Sequence, residues 1–278
     1  MKASHDEIGV GATEELSLRV SVAALVSVLF DSPEDGQTML ALERTATLRE
    51  IEGRNVVKIR AKPFGGAVQL TNTQALKELI GYFNYDSERS RQERDFRIQI
   101  NPASWEKVKE ICLEHSKETE KEILDPSPER ELAEEFDDTL NVKITRDQYN
   151  VKPRWIIVED LPTETDNVRV QSLPTVRIYY VFEVRMKDPE IITLMLANNR
   201  RYSDKDLQKM AWKDAKQGGR GRANAILVLR LNDLKTVYRA IGTDKRNELT
   251  LFDGHQLDTN VLAILEDVEK TRYKYYDP

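Results

Sequence analysis

The order of apolar patterns along the chain predicts an α+β fold with a mixed β-sheet. Period-two alternation of apolar residues, typical of strands, opens the chain from Leu16 to Phe30 and returns beyond Leu140. Helical periodicity dominates between these two regions. Strands and helices therefore come in blocks, without the regular alternation of a doubly wound sheet. At 278 residues, of which 40% are hydrophobic, the chain can bury a sizeable core.

The first 70 residues predict a loose tail followed by three strands and a glycine turn. Residues 1–15 are polar and we expect a flexible N-terminal tail. The strand that follows is separated by a turn at residues 31–36 from a return strand at 39–44. A third strand, at 56–61, leads into the sequence Pro-Phe-Gly-Gly and a short apolar run.

The middle of the chain predicts helices around one strand. Residues 72–83 carry an apolar stripe at helical spacing, with Thr73 as the expected cap. A charged loop is expected at 85–95 and a strand at 96–100. Residues 104–123 are again typical of a helix. A segment with two prolines then ends this helix and begins the next one.

Strands dominate the second half, together with two further helices. In chain order, the predicted elements are strands at 154–158 and 175–185, a strand or short helix at 191–197, a helix at 203–215, a strand at 226–231 and a closing helix at 260–273. Residues 160–174 and 217–222 are expected to form exposed loops, because they are rich in proline and acids or in glycine.

Composition excludes several classes of protein. A net charge of −6 argues against nucleic acid as a dedicated partner. Cys112 is the only cysteine, so the chain forms no internal disulfide and no cysteine metal cluster. No apolar run approaches the roughly 18 residues of a membrane span. We therefore expect a cytoplasmic protein without a membrane partner.

The stretch from Arg130 to Glu135, Arg-Glu-Leu-Ala-Glu-Glu, carries the main functional signal. On a helix, Glu131, Glu134 and Glu135 stand at positions i, i+3 and i+4, so their carboxylates share one face about 5–6 Å apart. Magnesium or manganese accepts such oxygen ligands and bridges them to substrate phosphates. A solvated acidic helix face gives the same local pattern in a chain that is 32% charged. The surroundings of the helix decide between the two.

The order of these parts resembles the Nudix hydrolase family. Its helix pattern is an REUxEE core preceded by glycines, and Arg130 to Glu135 match that core at every specified position. The strands RVSVAALVSVLF, TMLALER and RAKPFGGAVQL are similar to those that lead a Nudix chain into its box. The resemblance implies a Nudix-like mixed sheet sandwiched by helices, spanning residues 16–278.

Two departures from the family pattern stand out. The glycine turn and the glutamate helix, nearly adjacent in the family, are separated here by residues 71–125, which we interpret as an inserted helix-strand-helix subdomain. This insertion is a candidate surface for a second copy or a protein partner. Asp137 also stands where the family has a glycine after the glutamate pair, and Glu122, at the family interval before Arg130, is a coincidental match.

The resemblance also implies roles for individual residues. Glu131, Glu134 and Glu135 would hold Mg²⁺ or Mn²⁺, with Glu134 and Glu135 as the catalytic carboxylates. Arg130 would be structural. Gly65 and Gly66 would let the backbone approach the phosphates closely. The candidate phosphate-binding arginines are Arg44, at the end of the second strand, and Arg220 and Arg222, whose glycine-rich segment also suits an ordinary exposed loop.

The leading expectation is therefore magnesium-dependent hydrolysis of a nucleoside diphosphate linked to another moiety. A catalytically inactive Nudix-like module that senses a nucleotide or a protein is the alternative. A third hypothesis is an unrelated α+β interaction protein, whose three glutamates would point into solvent far from any cleft.

Overall fold

The computed structural model describes residues 16–114, 123–163, 173–240, 251–265 and 274–276. Helix and strand occupy comparable shares, 36% and 41%, around a mixed sheet, so the predicted α+β class is confirmed. Among the described residues, no helix has the length and hydropathy needed to cross a membrane. The predicted tail at residues 1–15 lies outside the described residues, as does Glu122.

A nine-stranded mixed sheet forms the centre of the described structure. Its strands are β1 (Leu18–Asp31), β2 (Thr38–Ile51), β3 (Arg54–Lys62), β5 (Asn84–Tyr85), β6 (Arg97–Ile100), β8 (Tyr149–Thr163), β9 (Thr175–Met186), β10 (Arg222–Arg230) and β13 (Lys274–Tyr276). Two short pairs lie outside it: β4 (Gln69–Leu70) with β7 (Leu124–Asp125), and β11 (Leu251–Phe252) with β12 (His255–Gln256).

Strand β1 is the axis of the sheet. One edge pairs in parallel with β9 over the registers Arg19 with Thr175 to Leu29 with Arg185. The other edge pairs antiparallel with two different strands, β6 at the beginning of β1 and β2 at its end. A gap therefore opens along the middle of this second edge.

Eight α-helices surround the sheet in the described part of the chain. They are α1 (Thr73–Ile80), α2 (Glu88–Glu93), α3 (Trp105–Glu114), α4 (Glu129–Leu140), α5 (Pro189–Arg201), α6 (Asp204–Lys216), α7 (Leu231–Ala240) and α8 (Asn260–Ala263).

Helices cover both faces of the sheet because the side chains of β1 alternate between two cores. Val26 and Val28 pack in the cluster that contains residues of α4 and α5. Leu25 and Leu29 point the other way, into a cluster built with α7 and α8. The predicted strand alternation thus corresponds to burial on two sides.

Residues 71–125 leave the sheet and return beside their point of departure. Gln69 pairs with Asp125, and Leu70 with Leu124, where β4 meets β7. Between these ends lie α1, β5, α2, β6 and α3, and β6 joins the large sheet by pairing with β1. The segment therefore shares a hydrophobic core with β1, β8 and β9.

Two sequence predictions for the middle of the chain differ from the structure. The expected loop at 85–95 contains α2, whose N-cap Ser87 accepts a hydrogen bond from Ser90 N–H at 3.1 Å. This short helix has no apolar stripe, because most of its six side chains are charged, so no helical periodicity indicates it. The cap of α1 is Asn72, not Thr73, since the Asn72 side chain accepts from Ala75 N–H at 3.0 Å.

Further differences lie in the second half of the chain and concern the type, presence or length of single elements. The predicted strand or short helix at 191–197 is helix α5, begun by the capping side chain of Asp188 and by Pro189. Helix α7 was not predicted at all. Strand β8 extends to Thr163, into the expected loop at 160–174, and residues 164–172 lie outside the described part. Of the expected helix at 260–273, α8 forms the beginning, and residues 266–273 are not described.

Candidate functional site

The diglycine turn, residues 64–67, fills the gap along the second edge of β1. Val26 N–H donates to the Phe64 carbonyl at 2.8 Å, and Ala24 N–H to the Gly66 carbonyl at 2.9 Å. The turn is thereby fixed to the central strand by backbone hydrogen bonds. Its position is set by the sheet and not by its own flexible residues.

Both glycines make close contacts, with backbone at Gly65 and with the end of a flexible side chain at Gly66. Gly65 has φ +128°, in a region that L side chains rarely adopt, and a Cβ there would collide with the Ala24 carbonyl oxygen. A Cβ on Gly66 would collide with the carboxylate of Glu131. The turn is therefore shaped to receive both the backbone of β1 and an acidic side chain of α4.

Helix α4 docks on this turn through two apolar side chains one helical turn apart. Leu132 and Phe136 are fully buried, and the Phe136 ring lies 5.3 Å from the Phe64 ring. Arg130 adds a hydrogen bond from its guanidinium to the Ala67 carbonyl at 3.1 Å. The structural role expected of Arg130 corresponds to this contact.

The three predicted glutamates do not all face the turn. Glu131 lies against Gly66 with its side chain 14% exposed, and Glu135 is 13% exposed and accepts from Gly65 N–H at 2.7 Å. Glu134 is 61% exposed and pairs with Arg130 at 3.3 Å. The structure therefore brings Glu131 and Glu135 to the diglycine turn and leaves Glu134 at the surface beside them.

A second carboxylate, Glu43, lies beneath Glu135 and was not anticipated from the sequence. Lys62 joins the two, with its Nζ 2.6 Å from Glu43 and 3.2 Å from Glu135. Arg222 donates to the other oxygen of Glu43 at 2.7 Å. Two features of the sequence could have indicated this pair. Glu43 is an acid within the apolar pattern of β2, and Lys62 ends the strand that precedes the glycines.

The pKa values of the two linked carboxylates are shifted in opposite directions. Burial raises the pKa of Glu135 to about 8; the charge of Glu43 adds to this, while Lys62 opposes it. Burial would also raise the pKa of Glu43, but the charges of Lys62 and Arg222 outweigh it and lower that pKa to about 2. Glu135 is therefore the member of the pair that holds a proton.

Glu131 shows a related shift. Burial raises its pKa, against the opposing charge of Arg130, with which it forms an ion pair. Each carboxylate beside the diglycine turn thus already has a cationic side chain as counter-ion: Arg130 for Glu131 and Glu134, and Lys62 for Glu135.

The donor set suits a hard divalent cation in kind, because carboxylate oxygens flank a turn kept free of side chains at Gly66. Within the described ranges, however, no three His, Cys, Asp or Glu side chains converge in a metal-binding group. A bound cation would have to replace Arg130 and Lys62 as the partner of these glutamates.

A cavity of about 450 Å³ opens beside the diglycine turn. Gly65, Gly66 and Lys62 line one side, and residues of β1 and β9, including Arg19 and Tyr179, line the other. Arg19 is held by a buried ion pair with Asp86, at 2.7 Å. The glycines and the lysine thus face a space in which a ligand could lie.

The three candidate phosphate-binding arginines separate into two groups. Arg44 is buried and directed toward the start of α6, where it donates to the Tyr202 carbonyl and lies 3.4 Å from Asp204. Arg44 does not line the cavity beside the turn, nor the second cavity that lies next to that one. Arg220 and Arg222 line that neighbouring cavity, of about 380 Å³, together with Lys62.

Comparisons with protein families, with curated proteins and with solved structures find no match to this chain.

Proposed function

We propose that the protein is a divergent Nudix-type hydrolase that cleaves a nucleoside diphosphate linked to another moiety, with Mg²⁺ or Mn²⁺. One observation carries the proposal: the diglycine turn and the glutamate helix, far apart in sequence, are in direct contact. Gly65 N–H binds Glu135, and Gly66 makes room for Glu131. The third hypothesis, in which all three glutamates point into solvent, does not account for these contacts.

In this proposal the chain supplies phosphate binding and proton transfer. Lys62, at the junction of the two cavities, would bind phosphate oxygens as a point charge. Glu131, Glu134 and Glu135 would hold the cation, which neutralises charge on the bridging phosphates when bound. Glu134, or Glu135 once the bound cation has displaced its proton, would accept the proton of the attacking water. Arg130 keeps the helix on the turn through the Ala67 carbonyl.

The test is hydrolysis of ADP-ribose, dinucleoside polyphosphates, nucleotide sugars and NAD with and without magnesium. Glu135→Gln should reduce the rate about 100-fold or more, because general base catalysis contributes roughly that much. Asp138→Asn is the matched control, since Asp138 is an exposed acid on the same helix with no ion pair among the described residues. No magnesium-dependent product from any of these compounds would reject the hydrolase.

A binding module without turnover is the second candidate. The ion pairs of Arg130 with Glu131 and of Lys62 with Glu135 favour it, because they occupy the carboxylates that a cation would need. Calorimetry distinguishes the two: binding of a nucleotide without any product supports the module, and turnover rejects it.

A further inference from the structure

The cavity of about 380 Å³ that Arg220, Arg222 and Lys62 line is strongly cationic, although the chain carries a net charge of −6. We call it the cationic cleft. Its strand and loop cations are Arg49, Lys58, Arg60, Lys62, Arg220 and Arg222, and Arg89 of α2 completes the set. Asp258 is the one acid that lines it in the described part of the chain. Such a concentration of one sign of charge raises the local concentration of anions.

The cations follow from strand geometry. Lys58, Arg60 and Lys62 occupy alternate positions of β3, so they project from one face about 7 Å apart. Thr47 of β2 pairs with Lys58 on one side and with Arg222 of β10 on the other. Positive side chains therefore flank a floor of small threonines, in rows about 10 Å apart across two strand spacings.

Internal ion pairs account for part of this charge. Lys62 and Arg222 contact Glu43, and Arg60 lies 3.9 Å from Asp258. The side chains of Lys58 and Arg220, by contrast, are exposed and make no hydrogen bond or ion pair with any residue that the structure describes. The cleft thus retains cationic groups whose charge is not neutralised by those residues.

A second observation points to a ligand in the same place. The hydroxyl of Thr45, on the floor of the cleft, is buried and has no hydrogen-bond partner among the described residues. A buried polar group without a partner is destabilising. A ligand oxygen that reaches this hydroxyl as neighbouring side chains move aside could accept its hydrogen bond.

From these observations we propose that the cationic cleft binds a chain of three or more linked phosphates. One phosphate could contact only a few of the cations, whereas a linear chain can follow the row on β3. Guanidinium groups suit phosphate oxygens because they donate in a planar fork. Lys62 and Arg89 line both this cleft and the cavity beside the turn, so one extended ligand could enter both. The proposal concerns binding and does not rest on hydrolysis.

A single-stranded nucleic acid fits the cleft less well. Sites for such strands combine a basic groove with aromatic side chains that stack on the bases. None of the described residues lining this cleft is aromatic. Its chemistry therefore favours phosphate chains over nucleic acid.

The test is isothermal titration calorimetry of the full chain in EDTA, with orthophosphate, pyrophosphate, tripolyphosphate and ATP as probes. Tripolyphosphate should bind at least about tenfold more tightly than pyrophosphate, because additional charge-assisted hydrogen bonds form. Equal affinities for ATP and tripolyphosphate would show that the protein recognises the phosphate chain alone. Tighter binding of ATP would add a contact with the nucleoside.

The variant Lys58→Gln/Arg220→Gln should weaken tripolyphosphate binding about tenfold or more. Its control is Lys143→Gln/Lys205→Gln, which removes the same charge from exposed residues outside the cleft. Thermal melting of both variants should match that of the unmodified protein. Equal affinity for all the phosphates, wild-type affinity in the cleft variant, or tighter binding of a single-stranded oligonucleotide would each overturn the proposal. EDTA keeps this result separate from any failure of magnesium-dependent hydrolysis.

Discussion

At the scale of single residues, the candidate site depends on a glycine whose backbone conformation and contacts are both restrictive. Gly65→Ala should destabilise the protein by about 3 kcal/mol or more, because it adds backbone strain of about 1–3 kcal/mol to a collision with the Ala24 carbonyl. Chemical denaturation measures the change in the free energy of unfolding.

Gly53→Ala separates the two causes. Gly53 also has positive φ, +72°, but a Cβ there would meet no atom within 4 Å. This variant should lose only about 1–2 kcal/mol, the cost of a left-handed conformation. Equal losses in the two variants would show that the diglycine turn does not press against β1.

The linked pair of Glu43 and Glu135 makes stability depend on pH. The pKa of Glu135 is raised to about 8 by burial, so the folded state holds a proton that the unfolded state releases near pH 4.5. The stability that this proton contributes is complete below pH 4.5 and is lost as the pH rises through 8. Glu43 behaves oppositely, because its lowered pKa makes its contribution disappear only as the pH falls toward 2.

Glu135→Gln should therefore flatten the decline in melting temperature between pH 5 and 8, since glutamine stays neutral. Melting curves in EDTA at a series of pH values, with Asp138→Asn as control, measure this difference. Other buried carboxyls with raised pKa, such as Asp95 and Glu131, remain in both proteins and cancel in the comparison. Parallel curves for the variant and the wild type would contradict the raised pKa of Glu135.

At the scale of elements, the buried apolar side chains of α4 should contribute far more to its docking on the turn than the exposed Glu134 does. Leu132→Ala should cost about 2–5 kcal/mol, because Leu132 is fully buried under the sheet. Glu134→Gln, on the exposed side of the same helix, should change stability by no more than about 0.5 kcal/mol. Urea denaturation of the two variants tests the difference. A comparable loss in both would mean that Glu134 also holds the helix in place.

The elements with strong local signals were predictable. The strands β1 and β9 follow from alternating apolar residues, and the start of α4 follows from the prolines before it. Helix α2 was missed because its six residues are mostly charged and its stability depends on capping by Ser87. A short helix without an apolar stripe has no periodic pattern by which to find it.

The candidate site was predictable only in part, since its residues meet through tertiary pairing. Gly65, Gly66 and Glu135 were identified from motifs, but their contact depends on the turn's pairing with β1. Glu43 was missed because its contact with Lys62 depends on the register of β2 and β3, which places the two residues opposite each other. Glu134 was expected to face inward, yet helical spacing alone cannot show which side of an acidic face is covered.

At the scale of the whole molecule, charge is distributed unevenly in a way that composition conceals. The chain is acidic overall, but three strands, one loop and helix α2 bring arginines and lysines to the cationic cleft. Net charge argues against a nucleic-acid partner and says nothing about such a local concentration. Strand register is what converts scattered cations into one surface.

The whole molecule also decides whether residues 71–125 are a separable insertion. Their buried side chains, among them Phe96, Ile98 and Trp105, cover Val20 and Ile178 of the large sheet. Each such side chain contributes about 1.5–3 kcal/mol on burial, and removing the segment would also expose the apolar side chains of the large sheet that it covers. The segment is therefore expected to be part of the folding unit.

Replacing residues 71–123 with two glycines tests this expectation while preserving the pairing of Leu70 with Leu124. Two residues can close an antiparallel hairpin at that point, so the connection itself introduces no strain. The shortened chain should aggregate or bind a hydrophobic dye without a cooperative melting transition, because the apolar face of β1 and β9 loses its cover. The full chain with two glycines inserted after Glu52, in the exposed turn before β3, is the control and should melt cooperatively. A monodisperse shortened protein with cooperative unfolding would instead show that the large sheet is stable without this segment, and that 71–125 is an independent addition.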